Sequence, residues 1–345
     1  MIQYRFTLLF LILAGTLTAQ DRHFTQFYAS PLTLNPALTG AFDGKYRVGA
    51  IYRDQWSGIL DQPYQTFSLG ADLRFSPFKN NFDKDKIGVG LLFYRDQING
   101  VDFNSTQIAL SGAYHKSLDY NSTHYLSLGF QFGLNQRNVN YENLTFQDQF
   151  NGTDGYTRPT QEPLPENNFS YGDFSAGLNY AAAPKGGTAF FAGVAMHHFN
   201  KPNISFYSAA AGIPPNKLFV KYSAQMSLQI PLSSQTSFSP RLLVASQGPS
   251  LEANVGANFK FTIDKTYGTS LHLGSWVRPV KSNNGFGLDA VVLLAGIEYN
   301  SVLFGFSYDL NLPTLSTFKR YQNTFEISLI YLGEYENDEL LCPEF

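Results

Sequence analysis

The chain has 345 residues, with 24 lysine and arginine residues against 27 aspartate and glutamate residues, so its formal net charge is −3. This balance excludes a strongly basic protein of the kind that binds nucleic acid. Charged residues make up 15% of the chain and aromatic residues 16%, whereas an ordinary soluble domain contains roughly 25% charged residues. A single cysteine, Cys342, excludes a disulfide framework and any multi-cysteine metal site.

The first residues have the pattern of a secretory signal peptide. Arg5 supplies a positive charge, residues 6–14 form a short apolar stretch, and Leu17-Thr18-Ala19 offers a small-residue cleavage site. We therefore expect residues 1–19 to be removed, so that the mature chain begins at Gln20. No later run of about 18 apolar residues predicts a transmembrane helix.

Long stretches of the chain alternate strictly between apolar and polar residues. This alternation predicts β-strands with one apolar and one polar face, and it is clearest in residues 65–75, 126–134, 218–230 and 251–263. Strands of soluble sandwiches average roughly 5–6 residues, whereas strands of about 9–11 residues are typical of membrane barrels. A bilayer does not tolerate open sheet edges, so the pattern predicts a closed antiparallel β-barrel in the outer membrane.

Fourteen segments fit the strand pattern, an even number as expected for a bacterial barrel. They are 46–53, 64–75, 87–97, 106–116, 124–135, 171–181, 188–197, 217–230, 237–246, 250–263, 267–277, 289–299, 301–309 and 324–332. If both termini are periplasmic, the odd-numbered connections face outward and should be the longer ones. Most connections follow this rule, including the long ones 136–170 and 278–288, whereas 76–86 and 247–249 depart from it.

Aromatic residues near the predicted strand ends are expected to anchor the barrel at the two membrane interfaces. They are Tyr46, Trp56, Tyr64, Tyr114, Tyr125, Tyr267, Trp276, Tyr299 and Tyr331.

The sequence contains no motif of a known catalytic site, dinucleotide site or phosphate-binding loop. We predict no catalytic residue, no metal site and no cofactor. His115 and His272 are expected to face the lumen, and Ser270 shares a strand face with His272, so these histidines are the best candidates for a hydrolytic enzyme. His197 and His198 are adjacent and are expected to point to opposite faces.

Charged residues of both signs are predicted to face the lumen. A pore selective for one ion sign would favour a constriction of a single sign, so mixed charges indicate internal ion pairing or the binding of a polar plug. The residues are Asp72, Glu252 and Glu326 together with Arg74, Lys221 and Lys260.

Residues 20–45 precede the first predicted strand and suit neither a strand nor a helix. They contain Pro31, Asn35-Pro36 and Gly40. The segment is nevertheless aromatic and apolar, unlike a disordered tail. We therefore expect it to pack in the barrel lumen or on a periplasmic partner.

This segment also carries a family resemblance. The pattern F-x-Q-F-Y-x-x-P-x-x-x-N-P-A-x-x-G in residues 24–40, followed by Tyr-Arg-Asp-Gln-Trp in residues 52–56, resembles the opening of the PorP/SprF family of type IX secretion and gliding-motility membrane proteins. The ending Cys342-Pro343-Glu344-Phe345 is similar to the family's Cys-Pro-x-Phe ending.

The resemblance implies an outer-membrane barrel, accessory to type IX secretion and gliding motility rather than the translocation pore itself. Its partners would be outer-membrane lipid and either a secreted surface adhesin, or that adhesin's C-terminal domain, or periplasmic ring components of the machinery. The matching residues would either brace the barrel as a strap or bind a partner. They are Phe24, Gln26, Tyr28, Pro31, Asn35, Pro36, Gly40, Arg53, Gln55, Trp56, Cys342, Pro343 and Phe345.

We thus predict a signal peptide (1–19), a periplasmic or lumenal strap (20–45), a barrel (46–332) and a periplasmic tail (333–345). The leading hypothesis is a non-enzymatic barrel that docks adhesin cargo or ring components. The alternatives are a passive channel or hydrophobic-solute transporter, and an outer-membrane enzyme acting on lipid or peptidoglycan. Cys342 could pair with a partner protein or stay unpaired in the tail. The acidic residues before it are expected to be solvated or to dock a basic partner.

Overall fold

A computed structural model describes residues 23–56, 63–77, 84–98, 102–142, 144–207, 216–282, 285–312 and 323–333. Fourteen antiparallel strands close into one barrel, as the sequence predicted. The strands are β1 (Tyr46–Gln55), β2 (Tyr64–Phe75), β3 (Lys86–Ile98), β4 (Phe103–Ser117), β5 (His124–Val139), β6 (Asn168–Ala182), β7 (Ala189–His197), β8 (Lys221–Pro231), β9 (Thr236–Gln247), β10 (Ser250–Asp264), β11 (Thr269–Ser282), β12 (Gly285–Tyr299), β13 (Val302–Asn311) and β14 (Asn323–Gly333).

The barrel closes through the first and last strands. β1 pairs with β14 in a register that runs from Tyr46 opposite Gly333 to Gln55 opposite Thr324. Every other strand pairs with its neighbours in the chain. All strand edges are thereby hydrogen-bonded, which removes the unpaired backbone groups that hydrocarbon would not satisfy.

The two faces of the wall differ as the alternation predicts. Outward-facing leucines are widely exposed, with Leu110 at 59% and Leu128 at 61%. Their inward neighbours Ser111 and Ser127 are buried, at 2% and 1%. An exposed apolar outer face suits contact with lipid acyl chains.

The longest connections lie at one end of the barrel. Residues 140–167 and 198–220 join β5 to β6 and β7 to β8, and this end is called the loop end. The opposite end, called the turn end, carries the shorter connections 118–123 and 265–268. The predicted long connection at 278–288 is wrong. β11 continues past Pro279, because a register shift between Arg278 and Pro279 absorbs the missing backbone N–H.

Four short helices complete the described structure. Three precede β1: η1 (Phe27–Ala29), α1 (Pro31–Leu34) and η2 (Pro36–Leu38). The fourth, η3 (Gln147–Gln149), lies in the longest connection. No helix among the described residues is long and apolar enough to cross a membrane.

Three side-chain placements differ from the sequence predictions. Trp276 and Tyr125 are buried inside the barrel, at 1% and 3% exposure, and therefore do not anchor it at a membrane interface. In the alternation along β5 and β11, both residues fall on the face that points into the lumen. This orientation decides their burial, although both lie near a strand end. His198 also stays on the lumenal side, because β7 ends at His197 and His198 has a φ of 58°. Its Nδ1 atom lies 2.8 Å from Oδ2 of the buried Asp173.

Candidate functional site: a strap held in the lumen

Residues 23–45, here called the strap, run through the lumen from the loop end to the turn end. At the loop end, Nδ1 of His23 lies 3.0 Å from Oε2 of Glu252, near the start of β10. At the turn end, the backbone N–H of Lys45 donates to Gly333 O at 2.7 Å. The strap therefore runs antiparallel to β1, into which it continues.

Prolines and one asparagine shape the strap locally. Pro31 and Pro36 each occupy the first position of a short helix, where a missing N–H costs nothing. Asn35 separates the two helices and caps η2, because its Oδ1 accepts from Ala37 N at 2.9 Å. Its Nδ2 donates to two wall carbonyls, Leu178 O at 3.1 Å and Val194 O at 3.3 Å. One fully buried side chain thus fixes the turn and attaches it to β6 and β7.

Near the loop end, the strap binds a buried group of charges. This charge cluster consists of Arg53, Arg278, Asp309 and Glu326, all with exposures of 4% or less. Arg53 pairs with Glu326, and Nη2 of Arg278 lies 2.9 Å from Oδ2 of Asp309. Two cations therefore face two anions, which satisfies the requirement that buried charges be paired. The predicted ion pairing of Glu326 inside the lumen is present.

The strap supplies the remaining hydrogen bonds of the charge cluster. The Glu326 carboxylate accepts from the backbone N–H groups of Thr25, at 2.7 Å, and Gln26, at 2.8 Å. Thr25 Oγ1 donates to Asp309 Oδ2 at 2.9 Å. Gln26 adds side-chain hydrogen bonds to Ser307 and Ser328. The strap backbone is therefore part of a charge-assisted network.

A second buried carboxylate holds the other end of the strap. Asp72 Oδ2 accepts from Gly40 N at 2.7 Å and from Nη2 of Arg47 at 2.7 Å. Arg47 also donates to the strap carbonyl of Leu38 at 3.1 Å. Gly40 has a φ of 74°, which favours glycine. Asp72, predicted to face the lumen, thus fixes the exit of the strap.

Wall glycines make room for the strap backbone. A Cβ atom added to Gly88 would lie 2.0 Å from Thr39 O, and one added to Gly129 would lie 2.2 Å from Ala37 N. At Gly177 the corresponding distance, to Oδ1 of Asn35, is 1.9 Å. No heavier residue fits at these positions while the strap is in place, so the wall is shaped to this segment.

Wall histidines also bind the strap. Nε2 of His115 lies 2.8 Å from Thr39 O, and Nε2 of His197 lies 3.2 Å from Leu34 O. The Nδ1 atoms of these two histidines contact the hydroxyls of Ser127 and Ser175, respectively. His115 therefore binds the strap through Nε2, while its Nδ1 atom is held by the wall.

His272, the other histidine considered for catalysis, lies away from the strap. Its Nε2 atom is 2.9 Å from Oε2 of Glu298, which also pairs with Lys260 at 2.8 Å. Inside the turn end, His272 thus contacts a partly exposed ion pair formed by Lys260 and Glu298.

Aromatic packing completes the contact between strap and wall. Phe27 meets Trp276 edge-to-face with the ring centroids 5.4 Å apart, and Tyr28 stacks on Trp276 at 6.3 Å. On the other side, Phe24 meets Tyr94 at 5.9 Å. The strap thus forms the apolar core of an otherwise polar lumen.

Most of the predicted site residues come together in or on the strap. Gln55 and Trp56 do not. Gln55 is the last residue of β1, and Trp56 packs against Tyr64 with ring centroids 5.2 Å apart. Phe24, Gln26, Tyr28, Pro31, Asn35, Pro36, Gly40 and Arg53 lie in the contacts described above. Cys342, Pro343 and Phe345 lie outside the described residues.

Sequence reasoning missed part of the site. Asp309 and Arg278 were not identified, although alternation along β13 and β11 places both on the inward face. The roles of Gly88 and Gly129 had no signal in the sequence, because glycine on a lumenal face is common in barrels.

Several solved structures share the fold. A Pseudomonas aeruginosa FadL homologue has a TM-score of 0.52 at 10% identity, with 92% of this chain and 95% of that chain covered. The CymD monoaromatic hydrocarbon channel has a TM-score of 0.50 at 12% identity, with 90% and 94% covered. At these identities the likeness concerns the fold alone. None of the curated proteins matches the sequence.

The sequence of the chain matches one protein family over nearly its whole length. Residues 16–331 match the type IX secretion system membrane protein PorP/SprF. The closed barrel and its apolar outer face place the protein in the outer membrane. The chain belongs to the PorP/SprF family of type IX secretion system membrane proteins.

Proposed function

We propose that this barrel is a non-enzymatic docking protein of type IX secretion and gliding motility. It binds a secreted surface adhesin, through the adhesin's C-terminal domain, or periplasmic ring components, while its own strap closes the lumen. The signal peptide would be cleaved and the C-terminal tail would lie in the periplasm.

The observation that carries this proposal is the built-in occupant of the lumen. The strap shares contacts or apolar clusters with all fourteen strands, from Arg53 in β1 to Glu326 in β14. Wall glycines leave room for the strap backbone, and the wall carboxylates of Glu326 and Asp72 accept hydrogen bonds from it. A barrel whose lumen is filled by its own chain is better suited to present surfaces at its two ends than to conduct solutes.

The alternative is a passive channel or hydrophobic-solute transporter. The CymD structure is named as a monoaromatic hydrocarbon channel, and space remains beside the strap at the turn end. The two functions differ in conductance, because a docking barrel needs no continuous path for ions whereas a passive channel does.

Site-specific photo-crosslinking in native outer membranes tests the docking function. A photoreactive phenylalanine replaces Tyr156 at the loop end or Tyr120 at the turn end, both of which are exposed, at 55% and 77%. Leu128, exposed on the lipid face, is the control position. The barrel is then purified and its crosslinked partners are identified by mass spectrometry.

We expect one large secreted adhesin on Tyr156, or ring components on Tyr120, with neither on Leu128. Recovery of an adhesin assigns docking to the loop end, and recovery of ring components assigns it to the turn end. Efficient crosslinking to lipid with no protein partner at either end would contradict docking and favour the channel.

A further inference from the structure

A cavity lies between the strap and the wall in the turn-end half of the lumen. Tyr28 of the strap and Arg241 of β9 line it, together with the apolar side chains of Leu294 and Leu303. Its volume is about 90 Å³, whereas one water molecule needs roughly 10–15 Å³. The cavity therefore has room for several waters or for one small organic ion.

Arg241 has no anion beside it in the described part of the wall. In the register of the sheet it lies opposite Ser227 of β8 and Gly256 of β10. The inward-facing residues on either side of these two are also neutral, namely Gln225, Gln229, Asn254 and Asn258. The Nε and Nη1 atoms of Arg241 are buried and have no hydrogen-bond partner among the described residues. A guanidinium enclosed in this way is costly unless an anion meets it.

The other basic side chains that line the cavity are already paired. Nη2 of Arg47 lies 2.7 Å from Oδ2 of Asp72. Nζ of Lys260 lies 2.8 Å from Oε2 of Glu298. Within the described residues, the charge of Arg241 is therefore the uncompensated one, and an occupant with a single negative charge would balance it.

The surroundings of the guanidinium indicate the class of this anion. It lies over the Tyr28 ring, 4.2 Å from the centroid, and Leu294 and Leu303 add apolar surface. A phosphate monoester carries about −1.5 to −2 charges at pH 7, more than one arginine balances. A carboxylate carries one charge and can bear an alkyl group. We propose that the cavity binds a short-chain carboxylate, with its carboxyl group at Arg241 and its alkyl group against the apolar wall.

The site is formed jointly by strap and wall. Tyr28 belongs to the strap, so the cavity exists in this form only while the strap fills the lumen. Ser237 and Ser239 precede Arg241 on the inward face of β9, which begins at the turn end. A row of polar side chains thus leads from the turn end to the guanidinium.

The fluorescence of Trp276 provides a direct test, because its ring stacks on that of Tyr28 with the centroids 6.3 Å apart. The chain has two tryptophans, and Trp56→Phe leaves Trp276 as the reporter. Butyrate is titrated into the purified full-length barrel in a non-ionic detergent at constant ionic strength. We expect a saturable change in emission with butyrate, and none with its neutral analogue butyramide or with inorganic phosphate.

In the same background, Arg241→Gln should weaken butyrate binding about tenfold or more, as the loss of a charged hydrogen bond does. Arg137→Gln is the matched control and should bind butyrate normally. Arg137 also lies over a tyrosine ring, that of Tyr171, at 5.6 Å, but near the loop end of β5. The heat-dependent shift of the barrel on a denaturing gel confirms that each variant is folded.

A carboxylate built into the wall gives a second test that keeps Arg241 in place. Ser227→Asp introduces it directly opposite Arg241, where the Cβ atoms of paired residues lie roughly 4.5–5.5 Å apart. We expect this variant to lose butyrate binding and to unfold at a higher temperature than the parent barrel. Ser227→Asn has the same shape without the charge and should do neither.

Three results would overturn the proposal. One is the absence of a saturable emission change with butyrate. Another is butyrate binding that persists undiminished in Arg241→Gln or Ser227→Asp. The third is equal binding of butyramide or phosphate, which would show that the cavity does not select a carboxylate.

Discussion

Gly129 of β5 lies where Pro36 and Ala37 of the strap pass close to the wall. A Cβ atom there would lie 2.2 Å from Ala37 N and 2.2 Å from the Pro36 carbonyl carbon, so the strap or the wall would have to move. The absence of a side chain at this position therefore leaves the space that the strap backbone occupies.

We predict that Gly129→Ala destabilises the barrel by about 1–3 kcal/mol, the usual cost of overpacking a well-fitted site. The measurement is the temperature at which the folded band is lost on a denaturing gel. Gly112→Ala is the control, because Gly112 faces outward on β4 and its nearest neighbour would be Gly88 O at 3.9 Å. An equal loss of stability in both variants would show that strand propensity is responsible and not the strap.

Glu326 is the residue on which the strap depends most through charge. We expect Glu326→Gln to cost about 3–5 kcal/mol, because it removes the nearer anion of the buried Arg53 guanidinium and leaves only Asp309, at 3.5 Å. It also weakens two backbone hydrogen bonds. Limited digestion with chymotrypsin measures the result, since a released strap exposes Phe24, Phe27 and Phe42.

Glu298→Gln is the control for this prediction. Its partner Lys260 has a side chain with 23% exposure, and Glu298 itself has 22%, so breaking that pair should cost only about 1 kcal/mol or less. If Glu298→Gln released the strap as readily as Glu326→Gln, the charge cluster would not be the anchor.

Among the elements, the turn between β4 and β5 shows how side chains fix a short connection. Asp119 accepts hydrogen bonds from Thr123 Oγ1 at 2.7 Å and from the N–H groups of Thr123 and His124, both at 2.8 Å. Burial raises the pKa of Asp119, but these hydrogen bonds together outweigh burial and bring the pKa below its ordinary value. The turn is therefore stabilised by the ionised carboxylate.

This lowered pKa predicts a pH dependence. The contribution of Asp119 should be complete above the unfolded pKa of about 3.9 and should disappear as the pH falls through the lower folded pKa. We expect Asp119→Ala to reduce the free energy of unfolding at pH 7 by about 1 kcal/mol, and to have a much smaller effect at pH 2. Urea unfolding of both proteins at the two pH values measures the difference.

Asp264→Ala is the control for the turn, because Asp264 accepts a hydrogen bond from Thr266 N at the corresponding connection between β10 and β11. An Asp119→Ala effect of the same size at both pH values would mean that the carboxylate charge plays no part.

At the scale of the whole molecule, the strap takes the place of a hydrophobic core. Fourteen strands enclose a space that side chains of the wall alone do not fill. Phe27, Leu32 and Leu38 of the strap are buried inside the barrel, at 7%, 2% and 2% exposure. Removal of the strap should therefore both weaken the barrel and open it.

We predict that deletion of residues 23–40 converts a barrel with little or no conductance into one with discrete open channels in planar bilayers. A deletion of similar length in the loop end, residues 148–163, is the control and should leave the conductance low. High conductance of the full-length protein would instead support the channel function.

The wall of the barrel was largely predictable from the sequence. Each predicted strand overlaps an observed one, because a strand's period-two pattern depends only on whether each residue faces lipid or lumen. Two residues of β11 depart from what the local pattern predicts. At Pro279 a bulge lets the strand continue, and Trp276 points into the lumen although tryptophan prefers a membrane interface.

The sequence by itself therefore determined the fold class, the strand number and the unusual character of the segment before β1, since these follow from residue chemistry and spacing. Only the tertiary structure decided what that segment contacts. The hydrogen bond from Thr25 to Glu326 joins residues separated by 301 positions, and the fit of Asn35 against Gly177 depends on the register of two strands with the strap. Such contacts form only once the barrel has closed, so they cannot be predicted from any local pattern of the sequence.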